Sequence, residues 1–183
     1  VTLLRTYGKR DASRERGAMA ILTIRIYGDE VLRKKTKYVK TFDKKLEKLV
    51  HDMFETMYEY HGIGLAAPQV GILRKIVVVD TLEPDEKYVL INPKIVWQSE
   101  ERDVLKEGCL SIPGVEGEVF RPESIRVKAQ TVTGEELELA ASGLLARCIQ
   151  HEMDHLNGIL FIDHLRESER ATLARALQEL AVA

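Results

Sequence analysis

The chain has 183 residues and a formal net charge of −2, and 45% of its residues are hydrophobic. This length and apolar content fit one domain with a hydrophobic core. The small net charge gives no sign of a basic nucleic-acid-binding surface, and no apolar run approaches the roughly 18 residues that a membrane-spanning helix needs. Two cysteines, Cys109 and Cys148, are too few for a disulfide framework and favour a reducing compartment.

Residues 1–18 differ in composition from the rest of the chain. They carry five Lys or Arg residues against two acidic ones, and they lack the hydrophobic core of a secretory signal. We expect a flexible N-terminal extension over 1–18, followed by a single domain over 19–183. A trimmed organellar transit sequence is the alternative interpretation of the extension.

The apolar pattern predicts three helices and several strands. Apolar residues recur at helical spacing over 42–60, with Gly62 marking the end of that helix, and leucines recur in the same way after Leu165. Between them, Ser142 and Gly158 are placed to begin and end a central helix. The β-rich segments are 75–80, 88–98, 124–132 and 135–140, the last two joined by a turn at Thr133–Gly134. Because strands cluster before the central helix, we expect an α+β fold, with antiparallel β-sheets around that helix.

The central helix carries the most informative pattern, Gln-His-Glu-Met-Asp-His-Leu-Asn-Gly at 150–158. His151 and His155 are four residues apart, so on a helix they lie on one face and one turn apart. Two imidazoles in this arrangement can bind one metal ion, and Glu152 at the edge of the same face can exchange a proton with a water on that ion. On this pattern alone, the alternative is a solvated helix whose histidines happen to lie four apart.

A third ligand has to come from elsewhere in the chain. Cys148 is on the same helical face, but it lies seven residues from His155, about 10 Å along the axis, too far to share one ion. We expect Cys148 to pack as a small apolar residue. Cys109, in Glu-Gly-Cys-Leu-Ser at 107–111, can approach from another direction, although a buried structural thiol is its alternative interpretation. Three protein ligands would leave one position open for water, as in catalytic sites, and sulfur with imidazole suits zinc or ferrous iron.

A glycine-rich segment, Gly-Ile-Gly-Leu-Ala-Ala-Pro-Gln-Val-Gly, occupies 62–71. It lacks the third glycine of a dinucleotide-binding loop and the Lys-Ser/Thr of a phosphate-binding loop. The segment is typical of a turn between a helix and a strand, or of backbone that approaches a ligand closely. Gln69 would then add a neutral donor near the site.

Taken together, the segments at 62–69, 107–111 and 150–158 resemble the three motifs of peptide deformylase, in the same order. Tyr-Gly-Asp-Glu-Val-Leu-Arg at 27–33 resembles the N-terminal signature of that family, and the resemblance covers about residues 20–165. It implies a metal-dependent hydrolase that removes the N-formyl group from the N-terminal formylmethionine of newly synthesised polypeptides and releases formate.

The resemblance also implies roles for individual residues. The three candidate ligands would hold one divalent ion, usually ferrous iron in this family, with zinc, nickel or cobalt as substitutes. Glu152 would be the general base and acid, and the Gln69 side chain and the Leu110 N–H would form an oxyanion hole. In similar enzymes the remaining positions bind the substrate: its backbone pairs with Ile63, Gly64 and Gly108, and its methionine side chain contacts Ile63, Leu144 and Cys148.

Two positions depart from the usual pattern of the family. Glu30 stands where proline is common, which affects the stiffness of a turn. Arg147 falls beside the implied methionine pocket, where an aliphatic residue is also common. We expect its stem to line the pocket while its guanidinium group reaches water.

Expectations about partners follow from the same resemblance. The substrates would be N-formylmethionyl nascent peptides, in the cytoplasm or, if 1–18 is a transit remnant, in an organelle stroma or matrix. The charges of the last helix are balanced, so we expect at most a transient contact with the ribosome. No direct nucleic-acid binding is expected, and the chain would be a monomer or a weak dimer.

Two other functions remain open: a zinc endopeptidase with Glu167 or Glu169 as third ligand, and a non-catalytic domain stabilised by metal, which needs a fourth ligand.

Overall fold

The computed structural model describes residues 20–182, so the predicted extension over 1–18 lies outside the described residues. Within that part the helices are α1 (Lys44–Glu59), α2 (Gly143–His155) and α3 (Glu167–Ala181). The strands are β1 (Gly64–Ala66), β2 (Ile76–Asp80), β3 (Lys87–Gln98), β4 (Arg102–Cys109), β5 (Ile112–Pro122), β6 (Ser124–Gln130) and β7 (Glu136–Ser142). None of these helices combines the length and apolar character needed to cross a bilayer.

The strands form two antiparallel sheets on either side of α2. Five strands make one sheet in the order β1-β2-β3-β6-β7, and β4 with β5 makes a long hairpin. Helix α2 contacts β1, β2 and β7 of the sheet and β5 of the hairpin. The prediction of an α+β fold with antiparallel sheets around a central helix is therefore confirmed.

Helix α1 closes one face of the large sheet. The Asp43 carboxylate accepts hydrogen bonds from the backbone N–H groups of Lys45 and Leu46, which caps the helix N-terminus. Its apolar stripe packs on β2 and on the segment 22–26. The helix ends at Glu59, and the left-handed residue that follows is His61, with φ 57°, rather than Gly62. Gly62 serves packing instead, because a Cβ there would lie 2.9 Å from a methyl carbon of Leu110.

Four strands were predictable, and three were not. β2, β3, β6 and β7 agree with the four β-rich segments to within a few residues. β1 has three residues, too few for an alternating pattern. β4 reads Arg-Asp-Val-Leu-Lys-Glu-Gly-Cys, which shows no alternation of apolar and polar residues. It is a strand because it pairs with β5 along its whole length, from Arg102 opposite Pro122 to Cys109 opposite Ile112.

Helix α2 runs through the interior between sheet and hairpin. It begins after Ser142 as expected, but the Ser142 side chain makes no capping hydrogen bond. Beyond its last residue, Gly158 adopts a left-handed conformation with φ 74°. A Cβ at that position would lie 2.4 Å from the carbonyl oxygen of Arg33, so glycine lets the N-terminal segment pack against the end of the helix.

Candidate metal centre and active site

Cys109, His151 and His155 meet in the interior of the protein. One ligand atom from each residue lies within 4.8 Å of the others, and each residue is at most 3% exposed. The cysteine is the last residue of β4, and the two histidines lie one turn apart on α2, as their spacing predicts. Among residues 20–182, no other group of three such side chains has this geometry.

The chemistry of these three side chains fits a metal ion. Cys109 Sγ lies 3.3 Å from His155 Nε2, and His151 Nε2 is buried without a hydrogen-bond partner in the described part of the chain. Although burial opposes ionisation, the adjacent His155 and His151 rings hold the pKa of the Cys109 thiol well below its ordinary value. A thiolate and two imidazoles that converge in this way form a metal-binding cluster for one transition-metal ion.

Glu107 fixes the orientation of His151. Its Oε2 lies 2.8 Å from His151 Nδ1, so this nitrogen donates to the carboxylate and leaves Nε2 available to a metal. Glu107 is completely buried. Burial alone would raise its pKa, but hydrogen bonds from Arg121 and His151 hold the pKa far below its ordinary value, so the carboxylate is ionised.

Two buried arginines compensate the charge of Glu107. Arg121 donates from Nε to Oε1 at 2.6 Å and from Nη2 to Oε2 at 2.9 Å, and its Nη1 reaches Asp154 at 2.8 Å. Arg147 donates from Nη1 to Glu107 Oε1 at 2.8 Å. This cluster ties the hairpin that carries Cys109 to the helix that carries both histidines.

The expectation for Arg147 was wrong. Its guanidinium group does not reach water: the residue is 3% exposed, and it also donates to the carbonyl oxygens of Val119 and Asp103. The reason is the buried carboxylate of Glu107, which lies 40 positions away in the sequence and needs positive partners.

The analysis of the sequence also missed Glu107, Arg121 and Asp154. Glu107 stands inside the Glu-Gly-Cys-Leu-Ser segment, directly before the glycine that precedes the candidate ligand. A metal-bound histidine usually donates its second ring nitrogen to a carboxylate or carbonyl. That rule was a usable signal for a nearby acid, whereas nothing in the sequence pairs Arg121 with Glu107.

Glu152 lies next to His151 on α2 and is completely buried. The backbone of β1 packs directly on it. A Cβ at Gly64 would stand 2.6 Å from Glu152 Oε1 and 2.6 Å from Cys148 Sγ. Because glycine has no side chain, the Glu152 carboxylate fits between α2 and β1.

The amide of Gln69 has a defined orientation. Its Oε1 accepts a hydrogen bond from the Ala66 N–H at 2.8 Å, so the NH2 group points towards Cys109 Sγ at 3.5 Å and Ser111 Oγ at 3.3 Å. Leu110 occupies the two-residue turn that follows Cys109. Both candidate oxyanion donors thus stand beside the cysteine of the metal-binding cluster.

The residues expected to bind substrate line the same region. β1 is an edge strand, paired on one side with β2 and, within residues 20–182, with no strand on the other. Gly64 is its first residue and Ile63 precedes it, while Gly108 pairs with Glu116 in the hairpin. Ile63 and Cys148 belong to one apolar cluster, against which the half-buried Leu144 packs.

Cys148 is a packing residue rather than a ligand in this arrangement. Its Sγ donates to the carbonyl oxygen of Ile63 at 3.4 Å, and burial raises the pKa of its thiol. The acidic residues of α3 considered for an endopeptidase, Glu167 and Glu169, are not part of the metal-binding cluster.

Comparisons with known proteins agree with this geometry. The family model described as polypeptide deformylase matches residues 21–171. Peptide deformylase 1 of Clostridium acetobutylicum is 55% identical over 151 residues, which cover 82% of this chain and 99% of the relative. Peptide deformylase of Chromobacterium violaceum is 49% identical over 162 residues, 88% of this chain and 96% of the relative.

Solved structures give the same result. The crystal structure of a peptide deformylase from Legionella pneumophila superposes with a TM-score of 0.82 at 44% identity, covering 87% of this chain and 95% of that one. A peptide deformylase from Synechococcus elongatus, in complex with actinonin, gives a TM-score of 0.82 at 44% identity, covering 97% and 95%. The chain therefore belongs to the peptide deformylase family and is an enzyme that removes the N-formyl group from nascent peptides.

Proposed function

We propose that Cys109, His151 and His155 hold one ferrous ion and that Glu152 carries the proton in the hydrolysis of N-formylmethionyl peptides. The observation that carries this proposal is the convergence of the three ligand atoms within 4.8 Å, next to the buried Glu152 carboxylate. When bound, such an ion makes a water more acidic and polarises the formyl carbonyl.

Glu152 performs both proton transfers in this proposal. It takes a proton from the attacking water while the water oxygen forms a bond to the formyl carbon. The carbon–nitrogen bond then breaks, and Glu152 gives the proton to the departing amine, which leaves formate and a free N-terminal methionine. The Glu152 carboxylate is enclosed by its own helix and by the backbone at Gly64. This supports the proposed role, because a carboxylate shielded from bulk water exchanges protons with groups inside the site.

Gln69 and Leu110 receive the charge that develops on the formyl oxygen. The Gln69 amide is already oriented by the Ala66 N–H, so no reorganisation is needed when the charge appears. Donors arranged in advance contribute about 2.7 to 4 kcal/mol each to the lowering of a barrier of this kind. The Leu110 N–H, one residue after Cys109, is the second donor.

The substrate backbone binds as an added strand. The open edge of β1, with Ile63 and Gly64, and Gly108 of the hairpin offer main-chain groups to an extended peptide. Hydrogen bonds to the main chain do not depend on the side chains of the bound peptide. This mode of binding therefore suits an enzyme that acts on many nascent chains. Ile63, Leu144 and Cys148 supply an apolar pocket for the methionine side chain.

We extend this proposal to the identity of the metal, the oligomeric state and the cellular location. A thiolate with two imidazoles supports iron or zinc rather than magnesium or calcium, and iron is the usual metal of the family. Because the substrates are nascent chains, we place the enzyme where such chains are made, in the cytoplasm or an organelle stroma or matrix. We further propose that it acts as a monomer or weak dimer.

The test is formate release from a formyl-Met-Ala-Ser peptide by anaerobically purified protein, with the metal content of the same sample measured. A blocked peptide without a formyl group is the control for internal cleavage. We expect one equivalent of iron, formate release and no internal cleavage. Internal cleavage without formate would support an endopeptidase, and a stoichiometric metal without either activity would support a non-catalytic domain.

A further inference from the structure

A chain of hydrogen bonds leads from the protein surface to His151, one of the three candidate ligands. His164 Nε2 lies 2.8 Å from Oδ2 of Asp154, and the same oxygen accepts from Arg121 Nη1 at 2.8 Å. Arg121 donates to both oxygens of Glu107, and Glu107 accepts from His151 Nδ1. Asp154 and His164, which have no part in the chemistry proposed above, are therefore connected to the group that orients a ligand.

The exposure of these side chains falls along the chain of hydrogen bonds. The exposed fraction of the side chain is 35% for His164, 19% for Asp154, 5% for Arg121 and 0% for Glu107. Water does not reach the inner groups, so each of them depends on its neighbour in the chain for its hydrogen bonds. The geometry at the buried end therefore depends on the groups at the outer end.

Asp154 balances the charges around Glu107. The Glu107 carboxylate contacts two guanidinium groups, those of Arg121 and Arg147, so these three groups alone carry an excess positive charge. The Asp154 carboxylate, in contact with Arg121, brings the group to two negative and two positive charges. Without Asp154, more of the Glu107 charge would be drawn to the arginines, and the carboxylate would accept less strongly from His151.

Asp154 also fixes the plane of the Arg121 guanidinium. Arg121 donates from Nε and Nη2 to Glu107 on β4 and from Nη1 to Asp154 on α2. A guanidinium group is planar and rigid, so two carboxylates on different elements determine its orientation. Since the same plane aligns the two Glu107 oxygens, Asp154 acts through Arg121 on the acceptor of His151.

The short 3-10 helix Phe161–His164 supports His151 in two ways. The ring of Phe161 is stacked on that of His151, with centres 6.2 Å apart and planes 21° apart, and Phe161 is buried. His164, at the other end of the same short helix, holds Asp154. One end of this helix therefore contacts the ligand by packing, and the other reaches it through the chain of hydrogen bonds.

We propose that Asp154 and His164 are positioning residues that raise the affinity of the centre for its metal, by acting through Arg121 and Glu107 on His151. The inference rests on the metal site proposed above. It goes beyond that site because neither residue belongs to the metal-binding cluster, although Asp154 lies directly before His155 in the sequence.

The affinity of the full chain for Zn²⁺, measured by competition with a chelator, tests the proposal. Asp154→Asn keeps the shape of the side chain and removes its charge. The matched control is Asp163→Asn, which removes the carboxylate of another Asp–Arg pair, that with Arg33, on the same short helix as His164. We expect the affinity to fall about tenfold in Asp154→Asn and to stay within about twofold in the control.

A pair of substitutions at His164 separates the hydrogen bond from packing. His164→Phe keeps a ring and removes the donor to Asp154, whereas His164→Gln keeps an N–H donor at a similar distance from the backbone. We expect the affinity for Zn²⁺ to fall about fivefold in His164→Phe and to return to within about twofold of the unmodified chain in His164→Gln. A role in stability alone would not make the affinity depend on this donor.

A double variant shows whether Asp154 acts through Glu107. In a chain that already carries Glu107→Gln, adding Asp154→Asn should weaken Zn²⁺ binding by less than about twofold, because the acceptor that it supports is already changed. Equal losses in Asp154→Asn and Asp163→Asn, or a full tenfold further loss in the double variant, would overturn the proposal. If the unmodified chain bound no stoichiometric zinc, the proposed metal site would fail, and this inference with it.

Discussion

Glu107 Oε2 lies 2.8 Å from His151 Nδ1, and the same carboxylate accepts hydrogen bonds from both Arg121 and Arg147. The acid on β4 thus determines which nitrogen of the histidine on α2 is free for a metal. A single buried carboxylate links the two elements that provide the ligands.

The first prediction concerns this carboxylate. Glu107→Gln keeps the size of the side chain but removes its charge, so the charge-assisted hydrogen bond that orients His151 is at best replaced by a weaker, neutral one. We expect the affinity for the metal to fall by about 10- to 100-fold, measured by competition with a chelator. Glu116→Gln, an exposed change in the same hairpin, is the matched control. An unchanged affinity in Glu107→Gln would mean that the carboxylate does not orient the ligand.

Arg147 should contribute to stability rather than to substrate selection. Arg147→Met leaves the buried Glu107 carboxylate with one arginine fewer and removes a donor to the Val119 carbonyl. We expect the free energy of unfolding of the metal-free protein to fall by about 3 kcal/mol, measured with denaturant. Arg126→Met, where the exposed guanidinium lies 5.5 Å from the centre of the Trp97 ring, should change it by less than about 0.5 kcal/mol. Similar values for both variants would refute the structural role.

Gly64 should be required for the placement of Glu152. In Gly64→Ala the new methyl group would meet Glu152 Oε1 and Cys148 Sγ, both at 2.6 Å, so the carboxylate must move. We expect kcat/KM to fall about 100-fold while the metal content stays unchanged, because neither contact is to a ligand. Formate release and metal analysis on the same sample check this. Loss of the metal together with activity would show that the substitution disturbs the whole centre instead.

Gln69 should act on kcat. Gln69→Leu removes the NH2 group that faces the site and its hydrogen bond to Cys109 Sγ, so the metal content is measured on the same sample. A drop in kcat of about 10²- to 10³-fold with a nearly constant KM is expected for a donor that acts in the transition state. Gln98→Leu, at an exposed position at the end of β3, is the control. If KM rose and kcat stayed constant, Gln69 would be a binding residue.

Local patterns were sufficient for the parts of the structure that depend on spacing. The four-residue separation of His151 and His155 places them on one helical face wherever the helix lies. β2, β3, β6 and β7 are apolar enough to be recognised from their own residues. Cys109 was proposed as the third ligand because it could approach the histidines from outside their helix, and the structure places the three ligand atoms within 4.8 Å of one another.

What the sequence did not reveal depends on pairing between distant segments. β4 becomes a strand only through its partner β5, and nothing in its own residues predicts that. Arg147 was expected to reach water because a buried arginine needs a partner, and that partner, Glu107, lies 40 residues away. Glu107 and Asp154 lie inside the recognised segments, but Arg121 lies outside them, and only the fold brings Arg121 to these two carboxylates.

The central claim is that Glu152 moves the proton while the three ligands hold the metal. The most direct measurement is formate release from formyl-Met-Ala-Ser by Glu152→Gln, with metal content determined on the same sample and Glu116→Gln as the control. The account predicts a full equivalent of metal and a loss of turnover of at least about 10²-fold. A variant that keeps its metal and about a tenth of its activity would exclude Glu152 as the group that carries the proton.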